Sequence, residues 1–163
     1  MPRVIYLDSG PLGLICHPRP KEGSENEAVQ RWLGGMLEGR ARIIIPAIAD
    51  FEVRRELIRG GSWDAVALLD EIESGQHPEF PRMIYLPLAD NALRRAAGLW
   101  AEARNKGYAT AGGQALDGDV LVAAQALEHA GQASRFTIAT GNVKDLARYV
   151  GNRRARPWGN IVP

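Results

Sequence analysis

The sequence contains very little cysteine, and this scarcity excludes several classes of protein. Its 163 residues include a single cysteine, Cys16, which excludes an internal disulfide and a cysteine-rich zinc site. No apolar run approaches the roughly 18–20 residues that a membrane-spanning helix needs. The opening segment MPRVIYLD reaches an acidic residue too early for a signal peptide. We therefore expect a cytoplasmic protein with no membrane segment, folded as one domain over residues 1–163.

Several motifs of nucleotide-binding and hydrolytic proteins are also missing. The sequence has no GxxxxGK[ST] phosphate loop, no GxGxxG turn after a strand and no GxSxG nucleophile turn. The histidines, His17, His77 and His129, do not follow a metal-ligand spacing and are more typical of surface residues. The DSG segment at residues 8–10 lacks the second aspartate of an aspartyl-phosphate phosphatase. Carboxylates therefore remain as the candidate functional groups.

Short apolar runs alternate with amphipathic segments along the chain. The predicted strands span residues 4–7, 43–45, 84–86 and 136–139, and the segment RPWGNIV near the end is a candidate edge strand. The predicted helices span residues 24–37, 47–59, 63–74, 89–106, 116–127 and 143–149, with a glycine-rich linker at 107–114. This alternation is typical of parallel βαβ units. It predicts an α/β fold, a three-layer α/β/α sandwich with a short, mostly parallel sheet.

The segment LDGDVLVAAQAL at residues 116–127 predicts a helix that is apolar on nearly every side and therefore lies in the interior. Its first turn carries Asp117 and Asp119 on either side of Gly118. One aspartate is ordinary at a helix start, because its oxygen accepts from free backbone N–H groups and suits the positive end of the dipole. The second allows two interpretations: a capped helix with a polar loop, or a functional pair of acids.

Other acidic residues follow the predicted strands, at the edge where open parallel sheets bind ligands. Asp8 ends the first strand, and Asn142 and Asp145 follow the fourth. We expect five carboxylates to share this edge: Asp8, Glu52, Asp117, Asp119 and Asp145. Two such charges about 4 Å apart repel by about 4 kcal/mol at an effective dielectric constant of about 20, so the group needs protonation or a cation. Mg²⁺ or Mn²⁺, which prefer oxygen ligands, are the natural counter-charges.

The predicted helix at 47–59 carries two glutamates, Glu52 and Glu56, four residues apart on one face. Such a like-charge pair is slightly unfavourable, and Arg55 and Arg59 can relieve it. We interpret Glu56 as part of an exposed, salt-bridged face. Glu52 follows a buried strand more closely and can turn inward.

Four segments, spread over nearly the whole chain, carry these acids: VIYLDSGPL, IPAIADFEVRREL, DVLVAAQAL, and TGNVKDL with a later PW. Together and in this order they resemble the motifs of the PIN-domain family, in particular its VapC-like toxin group. The resemblance places the family's first three acids at Asp8, which Ser9 follows, at Glu52 and at Asp119.

The closing motif departs from the family's T-R-N-x-x-D-F pattern. Many members carry an aspartate where this chain has Asn142, and Asp145 is the acid that remains nearby. Gly141 replaces the usual arginine, and Leu146 replaces the phenylalanine. The fourth corner of the site is therefore open, and Asp117 is a candidate substitute.

The resemblance implies a Mg²⁺-dependent ribonuclease, with Mn²⁺ as an alternative, that cleaves RNA as the toxin of a toxin–antitoxin pair. It implies Asp8 and Asp119 as metal ligands. The candidates for completing the cage or orienting the attacking water are Glu52, Asp145, Asp117 and Asn142. A small proteic antitoxin and a homodimer are also implied. We expect a partner helix to lie between the predicted helices at 24–37 and 47–59.

The C-terminal part of the chain is basic, although the whole chain has a net charge of only +1. From residue 135 onward, six basic residues and the single acid Asp145 give +5. Such an excess suggests a polyanionic partner, although it is also typical of a solvated surface. Lys144 and Arg148 are the leading candidates for holding the RNA backbone, and Ser9 is the third candidate for substrate binding.

Two other functions remain open. The first is a metal-dependent phosphatase or phosphotransferase at the same sheet edge, which the missing D-x-D motif disfavours. The second is a non-catalytic PIN-like interaction module, whose acids are capping or salt-bridged residues and in which Asn142 has replaced a catalytic acid.

Overall fold

The structure is a computed structural model that describes residues 3–108, 117–131 and 135–163. The strands are β1 (Val4–Leu7), β2 (Arg42–Pro46), β3 (Ile84–Leu86), β4 (Phe136–Ala139) and β5 (Ala155–Arg156). The helices are α1 (Ser9–Ile15), α2 (Glu25–Glu38), α3 (Ala47–Arg59), α4 (Trp63–Glu73), α5 (Asp90–Asn105), α6 (Gly118–Ala130) and α7 (Val143–Val150), followed by a 3₁₀ helix at Trp158–Asn160. Residues 109–114 of the expected linker and residue 116 of the expected central helix lie outside the described residues.

The strands form one parallel sheet in the order β3-β2-β1-β4-β5. The central strand β1 pairs with β2 on one side and β4 on the other, so that Ile5 lies opposite Ile43 and Thr137. Parallel sheets are normally covered on both faces by their crossover helices. The predicted α/β class and the PIN-like sandwich are therefore confirmed by the fold.

Successive residues of β1 point to opposite faces of the sheet, and each face has its own core. Ile5 and Leu7 belong to the core that α1, α2, α3 and α4 cover. Tyr6 belongs to the other core, which is built largely by α5, α6 and α7. Within the described ranges, no helix combines the length and the apolar character needed to cross a membrane.

Helix α6 is the most buried helix of the second core. Every residue from 120 to 127 is buried, which confirms the predicted interior position. The one polar residue in this run, Gln125, accepts a hydrogen bond from Ile48 N–H (3.3 Å) and donates to the carbonyls of Leu86 (3.0 Å) and Pro87 (3.2 Å). This side chain therefore ties α6 to the start of α3 and the end of β3, and its own polar atoms are satisfied.

The start of α6 approaches α3 very closely. A Cβ atom at Gly118 would overlap Glu52 Oε1 and would lie 2.8 Å from Glu52 Cδ. Glycine is the one residue without a Cβ, so it permits this approach. The Glu52 carboxylate consequently lies against the first turn of α6, next to Asp117 and Asp119.

The C-terminal segment differs from its prediction. The edge strand β5 includes only the first residue of the expected segment RPWGNIV, and the chain then turns into a 3₁₀ helix. Pro157 has no N–H to donate to a sheet ladder, which explains why the strand ends there. Trp158 instead packs against Trp32 of α2, with 5.9 Å between the ring centroids.

An ionic cluster joins α3 to α4. The Arg54 guanidinium contacts Asp50 (2.8 Å), Asp70 (2.8 Å) and Glu73 (3.1 Å), so three carboxylates share one cation. Among the described residues, Glu73 Oε1 is the buried side-chain atom that has no hydrogen-bond partner. Burial, and then the neighbouring Asp50, raise the pKa of Glu73 to about 8. Near neutral pH, Glu73 therefore keeps a proton.

This cluster predicts that stability falls with rising pH. Because the pKa of Glu73 is higher in the folded protein than in the unfolded chain, folding binds a proton, and stability decreases from about pH 5 to about pH 8. Glu73→Gln imitates the neutral acid, so we expect it to flatten this dependence and to stabilise the protein at about pH 9 by roughly 1–3 kcal/mol. Urea unfolding at acidic and alkaline pH measures this difference. The matched control is Glu71→Gln, at an exposed position of the same helix. An unchanged pH dependence in Glu73→Gln would contradict the prediction.

Candidate active site

Asp8 lies directly after β1 and caps the start of α1. Its carboxylate accepts hydrogen bonds from Ser9 N–H (2.8 Å) and from the Thr140 hydroxyl (2.7 Å). The residue is only 6% exposed. Burial raises its pKa, and the two hydrogen bonds partly oppose this effect because they stabilise the charged form. Asp8 is thus held in one orientation at the carboxyl edge of the sheet.

Thr140 is a member of the site that the sequence did not single out. It follows β4 directly, is fully buried, and also accepts a hydrogen bond from Asn142 N–H (2.8 Å). One hydroxyl therefore connects the first acid to the turn that carries Asn142. The available signal was a hydroxyl residue immediately after a buried strand, in the segment TGN.

Asp117 is the N-cap residue of α6. It is buried and accepts from Val120 N–H (3.2 Å), and its carboxylate lies near the Tyr149 hydroxyl of α7. Burial and the adjacent carboxylates of Asp117 and Asp119 raise the pKa of Tyr149 to about 12, so this hydroxyl keeps its proton and remains a donor. The capped-helix interpretation therefore describes Asp117, whereas Asp119 has a different environment.

Asp119 lies at the centre of the acidic cluster. Its pKa is raised to about 7, first by burial and then by the charges of four other carboxylates: Asp8, Asp117, Asp145 and Glu52. The structure thus brings four other sequence-predicted acids within electrostatic range of Asp119. Within the described ranges, none of Asp8, Glu52 and Asp119 forms an ion pair with a basic side chain.

At the fourth position of the family's acidic motif, this chain has the neutral amide of Asn142. The side-chain amide of Asn142 donates a 2.8 Å hydrogen bond to Asp119 Oδ2. Asp145, in the first turn of α7, is partly exposed and forms an ion pair with Arg148 (3.1 Å). Lys144 lies exposed in the same turn. The two candidate phosphate-binding residues, Lys144 and Arg148, therefore differ in their surroundings: Arg148 forms an ion pair with an acid of the cluster, and Lys144 is exposed.

Glu52 and Glu56 occupy different environments. Glu52 turns inward against Gly118, where its charge contributes to the raised pKa of Asp119. Glu56 is exposed and paired with Arg59 (2.6 Å), as expected for a solvated face.

The cluster fits a hard divalent cation by the chemistry of its donors, which are carboxylate oxygens with excess negative charge. In the part of the chain that the structure describes, however, no group of three or more His, Cys, Asp or Glu side chains is arranged to hold a metal ion. The donor types therefore fit a hard cation, while the described side chains are not arranged around a common centre.

No protein-family model matches this sequence. No curated protein matches it either.

Solved structures share the fold. A chain of VapBC2 from Rickettsia felis, bound to a DNA fragment from its promoter, matches with a TM-score of 0.65 and 17% identity over 95% of this chain and 98% of that chain. FitAcB from Neisseria gonorrhoeae matches with a TM-score of 0.61 and 20% identity over 96% of this chain and 99% of that one. VapBC-1 from nontypeable Haemophilus influenzae matches with a TM-score of 0.61 and 14% identity over 96% and 99%. The chain therefore shares its α/β fold with chains of the VapBC and FitAcB structures.

Proposed function

We propose that this protein is a Mg²⁺-dependent ribonuclease, with Mn²⁺ as an alternative ion, and that it acts as the toxin of a toxin–antitoxin pair. The observation that carries this proposal is the cluster of carboxylates around Asp119, whose pKa is raised to about 7. Such a concentration of charge is unfavourable unless protons or a cation neutralise it. The four-motif resemblance to VapC-like toxins and the fold shared with VapBC and FitAcB chains support a toxin–antitoxin role.

Asp8 and Asp119 are the residues that would hold the ion, and Glu52 and Asp145 would complete its surroundings. When bound, the ion would lower the pKa of a water molecule and offset the charge that develops on the phosphate. The Thr140 hydroxyl fixes the orientation of Asp8, as partners of ligating carboxylates commonly do.

The remaining side chains have positioning roles in this proposal. Glu52 and Asp145, helped by Asp117 or Asn142, would orient the attacking water by accepting its hydrogen bonds. The Asn142 amide holds Asp119 and brings no negative charge of its own, which lowers the repulsion that a phosphodiester meets. Lys144 and Arg148, with Ser9 at the start of α1, would hold the RNA backbone.

Unpaired RNA is the proposed substrate. The choice of RNA rests on the resemblance, and the choice of unpaired segments rests on the need for a splayed backbone to reach an acidic cleft. We also propose a small proteic antitoxin and a homodimer, in the cytoplasm.

The groove between α2 and α3 stays the proposed position of the antitoxin helix, and helix α1 packs against both of its walls. A cavity of about 520 Å³ lies nearby, where the end of α1 meets the connection between α3 and α4, and its lining includes Cys16, Leu57 and Trp63. Trp63 is 62% exposed there, so we propose this cavity as the contact for an apolar side chain of the antitoxin.

A non-catalytic interaction module is the second candidate, and one observation favours it. The Asn142 amide occupies an oxygen of Asp119, the residue proposed to hold the ion. A module of this kind would bind its partner without cleaving RNA.

Cleavage assays with matched variants test the ribonuclease. We expect the protein to cleave labelled single-stranded RNA with Mg²⁺ or Mn²⁺, and EDTA to abolish cleavage. Asp8→Asn and Asp119→Asn are expected to lower the rate on the order of 100-fold or more. Glu52→Gln is expected to cost roughly 10- to 100-fold. Glu56→Gln, one turn along the same helix, is expected to leave the rate unchanged. Metal-independent cleavage, or equal effects of the two glutamate variants, would contradict the proposal.

A glycine substitution tests the position of the Glu52 carboxylate. The methyl group of Gly118→Ala occupies the place of Glu52 Oε1, and this flexible side chain can avoid the clash by turning out of the site. We therefore expect a folded protein that loses cleavage by roughly as much as Glu52→Gln does. The control is Gly34→Ala in α2, where an added Cβ meets nothing within 4 Å. Full activity in Gly118→Ala would contradict the role of Glu52.

The metal should also act on stability. The pKa of Asp119 is raised in the folded protein, so without metal its ionisation lowers stability as the pH rises from about 4 to about 7. We expect Mn²⁺ at about 100 times its Kd to add about 3 kcal/mol at neutral pH. Asp119→Asn should raise the stability of the metal-free protein at about pH 8 and remove the response to Mn²⁺. Thermal unfolding with and without Mn²⁺ measures both effects, and an unchanged Mn²⁺ response in Asp119→Asn would contradict this assignment.

A further inference from the structure

We propose that four side chains beside the acidic cluster, Trp100, Arg104, Tyr108 and Arg148, form a track for single-stranded RNA on which the Tyr108 ring stacks an unpaired base. We call this set the arginine–aromatic ladder. The inference rests on the proposed ribonuclease function and deepens it, because it names the part of the substrate that the protein holds outside the site of cleavage.

The ladder alternates aromatic rings with guanidinium groups. Arg104 Cζ lies 4.8 Å from the centroid of the Trp100 ring, one turn away on α5. Arg148 Cζ, on α7, lies 5.1 Å from the centroid of the Tyr108 ring. Trp100, Arg104 and Tyr108 follow one another at the C-terminal end of α5, and Arg148 reaches Tyr108 from α7, which packs against α5. Cations and aromatic rings in alternation are what proteins use to bind single strands, because the cations meet phosphates and the rings meet bases.

The position of Tyr108 is fixed by the way that α5 ends. Gly107 has a φ of +78°, which turns the chain back toward the helix. Gly107 N–H donates to the carbonyl of Arg104 (2.9 Å) and Tyr108 N–H donates to the carbonyl of Ala103 (3.0 Å). These two bonds define a Schellman motif, which satisfies the last carbonyls of the helix. Tyr108 is therefore held at a defined place, and 44% of it is exposed.

The ladder leads directly to the acidic cluster. Arg148 contacts the Tyr108 ring and also pairs with Asp145 (3.1 Å). The charge of Asp145 in turn contributes to the raised pKa of Asp119. A strand whose base lies on Tyr108 would thus have its backbone next to the proposed site of cleavage.

Charge explains why such a track is needed. The acidic cluster repels the phosphates of an approaching RNA, and cationic side chains beside it offset this repulsion. A base that lies on an exposed ring must be unstacked from its neighbours, and single strands provide such bases whereas a duplex does not. These features favour single-stranded RNA over duplex nucleic acid or an acidic protein surface.

Binding measurements test the ladder. The Asp8→Asn protein, in which we expect the RNA to stay intact, is titrated with a short fluorescent single-stranded RNA, with and without the added change Tyr108→Ala. We expect Tyr108→Ala to weaken binding roughly 5- to 100-fold, the scale of one base stacked on an aromatic side chain. Tyr108→Phe keeps the ring and is expected to bind like its parent. The matched control is Tyr85→Ala, since Tyr85 is 39% exposed on β3 and its neighbours Ile84 and Leu86 face the core beneath α5.

An abasic RNA tests the stacking without any change in the protein. At the nucleotide that stacks on Tyr108, removal of the base is expected to weaken binding to the protein with Tyr108 and to leave binding to Tyr108→Ala unchanged. A merely structural role of the tyrosine predicts no dependence on a single base, so this comparison also covers the case in which Tyr108→Ala folds poorly.

A phosphodiester without bases separates this inference from the proposed function. We expect the wild type, but not Asp119→Asn, to hydrolyse bis(p-nitrophenyl) phosphate with Mn²⁺, and Tyr108→Ala to lower the efficiency of RNA cleavage. If neither compound is cleaved by the wild type, the ribonuclease proposal fails, while the binding series still decides the ladder. Equal RNA affinity with and without Tyr108 would overturn the inference, as would an equal loss in Tyr85→Ala. Two further results would overturn it. One is that Tyr108→Ala weakens binding of duplex DNA as much as binding of single-stranded RNA. The other is that Tyr108→Ala weakens binding of a protein partner and leaves RNA binding unchanged.

Discussion

Asp119 lies within electrostatic range of four other carboxylates, and burial adds to their effect, so its side chain resists ionisation at neutral pH. The fold imposes this crowding. Asp8 follows the central strand, the buried helix α6 carries Asp117 and Asp119 in its first turn, and the missing side chain of Gly118 lets Glu52 approach from α3. A buried helix cannot shift to relieve repulsion at its end, because its apolar residues are packed on all sides. The excess charge must therefore be balanced from outside the protein or by protons.

The protein contains a second crowded group of acids, and the comparison shows how differently the two are balanced. Around Arg54, three carboxylates share a guanidinium and a proton on Glu73 completes the balance. Around Asp119, the Thr140 hydroxyl and the Asn142 amide are neutral donors, and only Asp145 of the cluster has an ion pair among the described residues, with Arg148. Neutral donors orient carboxylates without cancelling their charge. The charge of the first group is thus balanced within the protein. The second group keeps carboxylates that form no ion pair among the described residues, and a divalent cation would bind these.

Arg148 joins the acidic cluster to the surface proposed for substrate. It pairs with Asp145 on one side and covers Tyr108 on the other, so a single side chain belongs to both. The Schellman motif after α5 holds the backbone at Tyr108 through two hydrogen bonds. The proposed site of cleavage and the proposed track for RNA are thus connected where α5 packs on α7.

Local patterns in the amino-acid order predicted β1, β3 and β4 with their observed bounds, and also the buried position of α6, because strand and helix periodicity depend on near neighbours. The candidate acids followed from the ends of these elements. The partners of those acids did not follow: Thr140 meets Asp8 across 132 positions of the chain, since β1 and β4 are adjacent in the sheet. The local sequence also did not predict that position 118 requires a glycine or that β5 ends after Arg156. Contacts between distant segments depend on which strands become neighbours and how the helices pack on them, and only the three-dimensional arrangement contains that information.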